Sequence, residues 1–458
     1  MVLTSINPST GETLKMFKEW DGKKVDEQVR KSNQAFHIWK DIELSDRGVI
    51  LKRISRTLRK NKRDYARLIT AEMGKPILQS ESEIEKCISV CEYYAENGKH
   101  FLQEEYINVD ENKSYVRYTP LGVILAVMPW NFPFWQVFRC TVPIMLAGNG
   151  ILLKHSSNVP QCALTIEAIF RDSGCPSHLF QTLLIGSKAV QKVIKSNLVA
   201  AVSVTGSTSA GKYIARLAGM HLKKVVLELG GSDPFIVLED ADIRYTVDHA
   251  VKARMINAGQ SCIAAKRFII HKNVFEEFTT GFSEKVQQLS IGDPFDRSTD
   301  IGPLARKDLV LQVDAQVKVS VQKGAHVLVG GRRVEDLSGY YYYPTVIKNV
   351  RSNMPVYCKE TFGPIAALIK VRNTQEAIRK ANDTCYGLGS SIWTRNVTKG
   401  ERLTKQLQAG SVFVNECVQS DPRLPFGGIK NSGFGRELSC FGIKEFVNIQ
   451  TIYMKKHR

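Results

Sequence analysis

From Val123 onward the sequence repeats one pattern, in which a short apolar run gives way to an amphipathic stretch and then to another short apolar run. The runs are Ile124–Met128, Ile151–Lys154, Phe180–Leu184, Ala200–Val204, Val225–Leu227 and Phe235–Leu238. Each has strand length, and the stretches between them carry apolar residues at three- and four-residue spacing, the period of a helix. Strands joined through helices cannot pair as tight hairpins. Each connection has to cross a sheet face, and such crossovers are right-handed. The pattern therefore predicts a parallel sheet with helices on both faces. A second set, Arg267–Ile270, Ala325–Leu328, Ala366–Lys370 and Val412–Val414, alternates with helices expected at Val274–Leu289 and Leu309–Lys323 and predicts a second α/β unit. The join is expected near Gly230-Gly231. Ahead of both, helical spacing predicts helices over Val25–Trp39, Ser45–Thr70 and Ile84–Phe101, and Lys113–Tyr118 alternates like an exposed strand or hairpin.

A chain of 458 residues exceeds one hydrophobic core, which agrees with two or more domains. With 43 % hydrophobic and 24 % charged residues it is neither a disordered nor a collagen-like chain. No apolar run approaches bilayer length, and the N-terminus lacks a basic segment followed by an apolar core. The expectation is a soluble, cytoplasmic enzyme with no membrane partner. Lys and Arg number 63 against 45 Asp and Glu, a net charge of +18 that favours anionic ligands. The densest basic stretch, Lys52–Arg67, has its apolar residues at helical spacing and reads as a solvated helix face, so no nucleic-acid partner is expected. The ten cysteines form no regular pairs. Cys87 and Cys91 lack a second pair at zinc-site spacing and read as core residues, with no metal site and no structural disulfide expected.

Four segments could carry chemistry. In Ala200–Gly211 an apolar strand runs into a Gly206-Ser207 turn and then a helix, where Ser207 can cap the helix and face a phosphate; an ordinary strand–turn–helix junction reads the same way. Cys262, in AGQSCIAA, is either a buried inert thiol or a nucleophile exposed by a loop of small residues. Glu228 ends an apolar strand before two glycines, where a desolvated acid suits a general base or pairs with a distant cation. Asn131, in MPWNFP, follows the carboxyl end of Ile124–Met128, where an amide donor suits an oxyanion, or a plain turn.

Together these segments resemble the aldehyde dehydrogenase superfamily. The resemblance runs from INPSTGE (Ile6–Glu12) through LLKHSSN, VTGSTSAG, LELGG, AGQSCIAAKR and ETFGP to PFGGIKNSGFGRE (Pro425–Glu437). It implies a Rossmann-like cofactor domain at 1–107 and 121–230, a second α/β catalytic domain at 231–440, and a small β oligomerisation arm at 108–120 and 441–458. The tail Asn448–Lys455 is then expected to pair with Tyr115–Tyr118 of another subunit, in a homodimer or homotetramer. Position by position, Cys262 matches the nucleophile, Asn131 the side-chain half of the oxyanion hole, Glu228 the base that activates water, and Glu437 a second acid near the proton path. Trp130 and Lys154 would line the adenosine ribose region, Gly206 and Ser207 would meet the pyrophosphate, and Glu360 and Phe362 would hold the nicotinamide ribose and ring.

Members that prefer NAD often place Glu three residues after the strand's Lys. Here that residue is Ser157, which would not repel a 2′-phosphate, so NADP is favoured with NAD usable. His155 stands where proline is common. Gln136 and Arg139 share a helix face beside the substrate tunnel. An Arg there can clamp a carboxylate, and Ser420 could add a hydroxyl. The arrangement is similar to succinate-semialdehyde dehydrogenases, with a broader aliphatic or aromatic aldehyde dehydrogenase as the alternative. An alternative of another class is a basic RNA- or membrane-binding protein on a dehydrogenase scaffold.

Overall fold

Val123–Met128 lies inside a six-stranded sheet whose order is Gly433–Phe434, Lys224–Glu228, Val199–Thr205, Val123–Met128, Gly150–His155 and Phe180–Thr182. The structure is a computed structural model and describes residues 2–109 and 112–455. The five strands between residues 123 and 228 are parallel, and Gly433–Phe434 adds antiparallel to Lys224–Glu228. Numbered along the chain, those five follow the order 3-2-1-4-5. The direction of winding reverses between Val123–Met128 and Val199–Thr205, and a crevice opens beyond their carboxyl ends. Asn131 and Ser207 follow these two strands.

The second sheet has seven strands, in the order His326–Val329, Thr345–Lys348, Ile365–Val371, Arg267–His271, Pro234–Val237, Gly389–Trp393 and Ser411–Val414. All are parallel but the pair at the His326 edge. The sequence pattern misses Thr345–Lys348 and Gly389–Trp393. The latter opens on Gly-Ser-Ser and has no alternation, yet it is buried along its length, with Trp393 stacked on Phe235 at 4.8 Å. The chain passes from the first sheet to the second through Gly230 and Gly231. A Cβ on Gly231 would lie 2.8 Å from the Cys262 carbonyl oxygen, so glycine there allows the nucleophile loop to close against it.

The early helices are Gly22–Trp39, Leu44–Lys60, Lys62–Met73 and Ile77–Phe101. The single helix expected over Ser45–Thr70 is broken at Asn61, whose Nδ2 and backbone N–H both donate to the Thr57 carbonyl and close the first helix. The basic residues of this stretch face outward, while Leu51, Ile54, Leu58 and Ala66 are buried. The first residues form an unanticipated antiparallel hairpin, Val2–Ile6 with Thr13–Lys18, turning at Gly11 with φ +79°.

The expected strand at the tail is present as Val447–Met454, but its pairing is corrected. It runs antiparallel to Lys113–Pro120 of the same chain, Ile449 opposite Tyr118 and Thr451 opposite Val116. Lys444 anchors it there, donating to Glu105 and to the Tyr118 hydroxyl at 2.7 and 2.9 Å. Residue 1 of the first expected domain, and residues 110–111 and 456–458 of the expected arm, lie outside the described residues. Among the described residues no helix is long and apolar enough to cross a membrane. The ten cysteines are free thiols, with Cys87 and Cys91 fully buried.

Candidate active site

The crevice beyond the first sheet is a cleft of about 240 Å³ into which Trp130, Asn131, Gln136, Ser207, Glu228, Cys262, Glu360 and Phe362 all face. With Gly206, which joins them, most of the expected site residues thus share one cavity wall.

Cys262 sits in a strained loop. After the helix Ile243–Met255, the three residues Asn257, Ala258 and Gly259 have φ of 54°, 51° and 73°. Two left-handed non-glycine residues in succession persist only where the surroundings over-determine them. Two buried cations do so. Arg254 donates to the carbonyls of Gly259, Ala265 and Gly363 at 2.7, 2.9 and 2.7 Å. Lys266 donates to those of Ser261, Cys262 and Ala264 at 3.0, 2.7 and 3.0 Å. A trans peptide sets its N–H opposite its carbonyl. Because the Ser261 carbonyl points at Lys266, the Cys262 N–H points away from Lys266, and among the described residues it meets no acceptor. A Cβ on Gly259 would lie 2.2 Å from the Gly363 oxygen, so only glycine fits this turn.

Asn131 is 3 % exposed. Its Nδ2 donates one hydrogen to the Gln260 carbonyl at 3.1 Å, and its own carbonyl accepts from Asn257 Nδ2 at 2.8 Å, which stitches the two loops together. The amide keeps a second hydrogen for a ligand. The segment that carries it is held from below. The Glu83 carboxylate accepts from the backbone N–H groups of Phe134 and Trp135 at 2.8 and 3.0 Å, at the start of the helix Trp135–Leu146. Glu83 pairs with the fully buried Lys75, whose ammonium lies 3.6 Å from the centre of the Phe132 ring. His155 pins the same segment to the neighbouring strand, Nε2–H donating to the Pro133 carbonyl at 2.9 Å while Nδ1 accepts from the Ser156 N–H at 2.9 Å. Burial pushes this imidazole down to about 4, so it is neutral and structural.

Burial also raises the Cys262 thiol to about 12, against the pull of Arg139 and Lys266. Glu228 is 2 % exposed, and burial followed by the Glu437 carboxylate holds it well above the usual carboxylate range. Among the described residues, both Glu228 oxygens, Asn131 Oδ1, Gln136 Oε1 and Thr205 Oγ1 are buried without a hydrogen-bond partner, and all five belong to residues lining the cleft. So many unmet polar atoms at one wall indicate a site made for a ligand.

A dinucleotide fits these residues. Ser207 caps the helix Thr208–Met220, accepting from the Ala210 N–H at 3.3 Å, and leaves other first-turn N–H groups facing the cleft end. Glu360 is fixed by the Gly231 N–H at 3.0 Å, and Phe362 meets Trp130 edge-on with ring centres 5.6 Å apart. Lys154 and Ser157 line a groove beside the cleft.

Of the expected substrate residues, only Gln136 lines the cleft. Arg139 is 2 % exposed and not an open clamp: its Nε is bound by Glu437, and its guanidinium lies 4.5 Å from the centre of the Phe426 ring. The partner comes from 298 positions away, beyond the reach of helical spacing. Arg139 Nη2 is buried and unpaired among the described residues, and Arg139 itself is not part of the cleft wall. Ser420 lies outside the cleft wall, its Oγ accepting from Trp135 Nε1 at 3.0 Å. Residues to which the sequence pattern assigns no role are Arg254, Lys266, Thr205 and Gln312. Lys266 stands inside the AGQSCIAAKR segment, and its spacing of four from Cys262 is the available signal.

The family model for the "Aldehyde dehydrogenase family" matches residues 2–452. A protein of Synechocystis sp. named a probable succinate-semialdehyde dehydrogenase, NADP(+), is 47 % identical over 454 residues, covering 99 % of this chain and 100 % of that one. One from Escherichia coli K12, named a succinate semialdehyde dehydrogenase, NAD(P)+, is 44 % identical, covering 98 % and 97 %. Among solved structures, succinic semialdehyde dehydrogenase from Streptococcus pyogenes in complex with NADP+ superposes with a TM-score of 0.97 at 34 % identity, covering 99 % and 100 %. With a family match across nearly its whole length and relatives aligned end to end, this chain belongs to the aldehyde dehydrogenase family.

Proposed function

We propose that the chain oxidises succinate semialdehyde to succinate with NADP+, NAD+ also serving. The observation that carries this is the meeting of a thiol, an amide donor and an unpaired carboxylate in one cleft at the switch point of a doubly wound sheet. These are the groups that acyl chemistry needs. Cys262 Sγ attacks the aldehyde carbon, its proton passing to solvent. The oxygen of the resulting thiohemiacetal is held by Asn131 Nδ2 and the Cys262 N–H. When bound, the nicotinamide supplies the hydride acceptor that makes oxidation to the thioester possible. Glu228 as carboxylate then takes a proton from water, whose oxygen attacks the thioester carbon and releases Cys262 and the acid. The balance is aldehyde, NADP+ and water to carboxylate, NADPH and two protons. Trp130, Gly206, Ser207, Glu360 and Phe362 would hold the cofactor, with Lys154 and Ser157 toward its 2′-phosphate.

Arg139 supports a carboxylated substrate through its unpaired Nη2, with Gln136 beside it and Ser420 behind Trp135. The occupation of its Nε by Glu437 favours the broader aldehyde reading instead. Steady-state kinetics with succinate semialdehyde and hexanal separate the two. If Arg139→Ala raises KM for the semialdehyde and spares hexanal, the clamp stands; equal effects leave the broader activity. The two sheets support a division at 1–107 with 121–230 against 231–440, except that Gly433–Phe434 of the second part joins the first sheet. The exposed Ile449 and Tyr453 on the outer strand Val447–Met454 support assembly with a second copy through the arm.

A further inference from the structure

Arg306 is the one described residue that lines both the cleft and the neighbouring groove of about 580 Å³ that contains Lys154 and Ser157. The groove is rich in unmet donors. The Lys154 side chain is 8 % exposed, and among the described residues its ammonium makes no hydrogen bond or ion pair. Asn158 Nδ2 is buried and has no acceptor among the described residues, while Asn158 Oδ1 is already taken by the Ser156 hydroxyl at 2.7 Å. Lys307 stands exposed at the first position of the sixteen-residue helix Lys307–Gln322, whose N-terminal end adds partial positive charge. The groove has a single carboxylate, Asp308, and Arg306 holds it through Nε and Nη2 at 2.9 Å each. That pair is solvent-exposed and contributes little, so the guanidinium is free to turn to a stronger anion. Arg306 also packs 5.5 Å from the centre of the Trp130 ring, which keeps it at the junction.

Lys154, Arg306 and Lys307, with the unpaired Asn158 amide and the Ser157 hydroxyl, make a surface for a dianion. They suit a dianion better than a ribose diol, since three cations face one carboxylate and a diol needs an acidic acceptor. We infer that Arg306, Lys307 and Asn158 complete, with Lys154 and Ser157, a pocket for the 2′-phosphate of the cofactor's adenosine. The inference rests on the proposed use of NADP+ and adds to it a contribution from the helix Lys307–Gln322, in the part of the chain that also carries Cys262.

Calorimetric titration of the full-length protein with 2′,5′-ADP and with 5′-ADP tests it without turnover. Wild type is expected to bind 2′,5′-ADP more tightly. Arg306→Gln should lose about tenfold or more for 2′,5′-ADP while keeping its 5′-ADP affinity, as expected for removal of a charge-assisted phosphate contact. Lys307→Gln and Asn158→Ala should lose affinity with the same selectivity. Equal losses for both ligands, or no loss for either, would overturn the assignment of Arg306. Wild type showing no preference for 2′,5′-ADP would instead remove the NADP reading itself.

Discussion

Replacing Asn131 by Ala isolates the oxyanion contribution, because the structure separates the catalytic loss from the structural one. The side chain spends one hydrogen on the Gln260 carbonyl. That carbonyl keeps a second donor, Asn257 Nδ2 at 3.2 Å, so the variant leaves no orphan there. The structural cost is then one ordinary hydrogen bond, about 1 kcal/mol. The link that orients the segment, from Asn257 Nδ2 to the Asn131 backbone carbonyl, survives the substitution. The catalytic cost is the loss of one of two oxyanion donors, about 3 kcal/mol or 10²–10³ in kcat. Stopped-flow measurement of nicotinamide reduction, beside thermal unfolding and alkylation of Cys262 by iodoacetamide, reads both terms. The expected variant unfolds within a few degrees of wild type, alkylates normally and turns over at least a hundredfold more slowly. A fall in kcat under about tenfold, with the fold intact, would refute an oxyanion role for this amide. A collapse in unfolding temperature would show that the Gln260 bond, rather than the Asn257 amide, holds the loop.

Glu228→Gln should still reduce about one equivalent of cofactor in a burst, since only the hydrolytic step needs the carboxylate, and a missing burst would place Glu228 earlier in the sequence. Glu437 opposes ionisation of Glu228, whereas Arg139 favours it. Glu437→Gln removes the first influence and frees the second, so the acidic limb of kcat should move to lower pH; a limb that stays or rises would contradict the coupling. His155, held down to about 4 against about 6.5 unfolded, binds fewer protons folded than unfolded between those values. Its contribution is therefore complete above pH 6.5 and is lost as pH falls toward 4, by up to about 3 kcal/mol. Urea unfolding at several pH values should show this loss in wild type and a shallower one in His155→Gln, which keeps a donor for the Pro133 carbonyl. Equal slopes would assign the loss to other groups.

The helices and most sheet strands were legible because their signals are local. Ile124–Met128 is apolar and strand-length, and Ile84–Phe101 repeats at helical spacing over several turns, within the observed Val123–Met128 and Ile77–Phe101. Gly389–Trp393 was not legible, since its burial comes from neighbours such as Phe235 rather than from its own residues. The break at Asn61 depends on a single amide competing for a carbonyl, a contest that periodicity does not record. The partner of the tail strand was misassigned for a related reason: pattern identifies a strand, but its pairing is accompanied by long-range contacts such as Lys444 with Glu105 that pattern does not record.

The site divides along the same line. Cys262, Asn131, Glu228 and Ser207 lie in or beside turns where glycine, proline or a cap leaves a local mark. The groups that set their charge do not. Glu437 reaches Arg139 across 298 positions, and Glu83 holds the Asn131 segment from 51 and 52 positions away. Lys266 is close in sequence to Cys262, yet its role depends on the left-handed run at Asn257–Gly259 that turns three carbonyls toward it. The same geometry that gives Lys266 its partners sends the Cys262 N–H the other way, so loop strain and oxyanion donor arise together. A substitution that relaxed Ala258 out of the left-handed region would free the Ser261 carbonyl from Lys266 and turn the Cys262 N–H with it. Loop conformation and transition-state stabilisation should accordingly fail together in any variant that disturbs either.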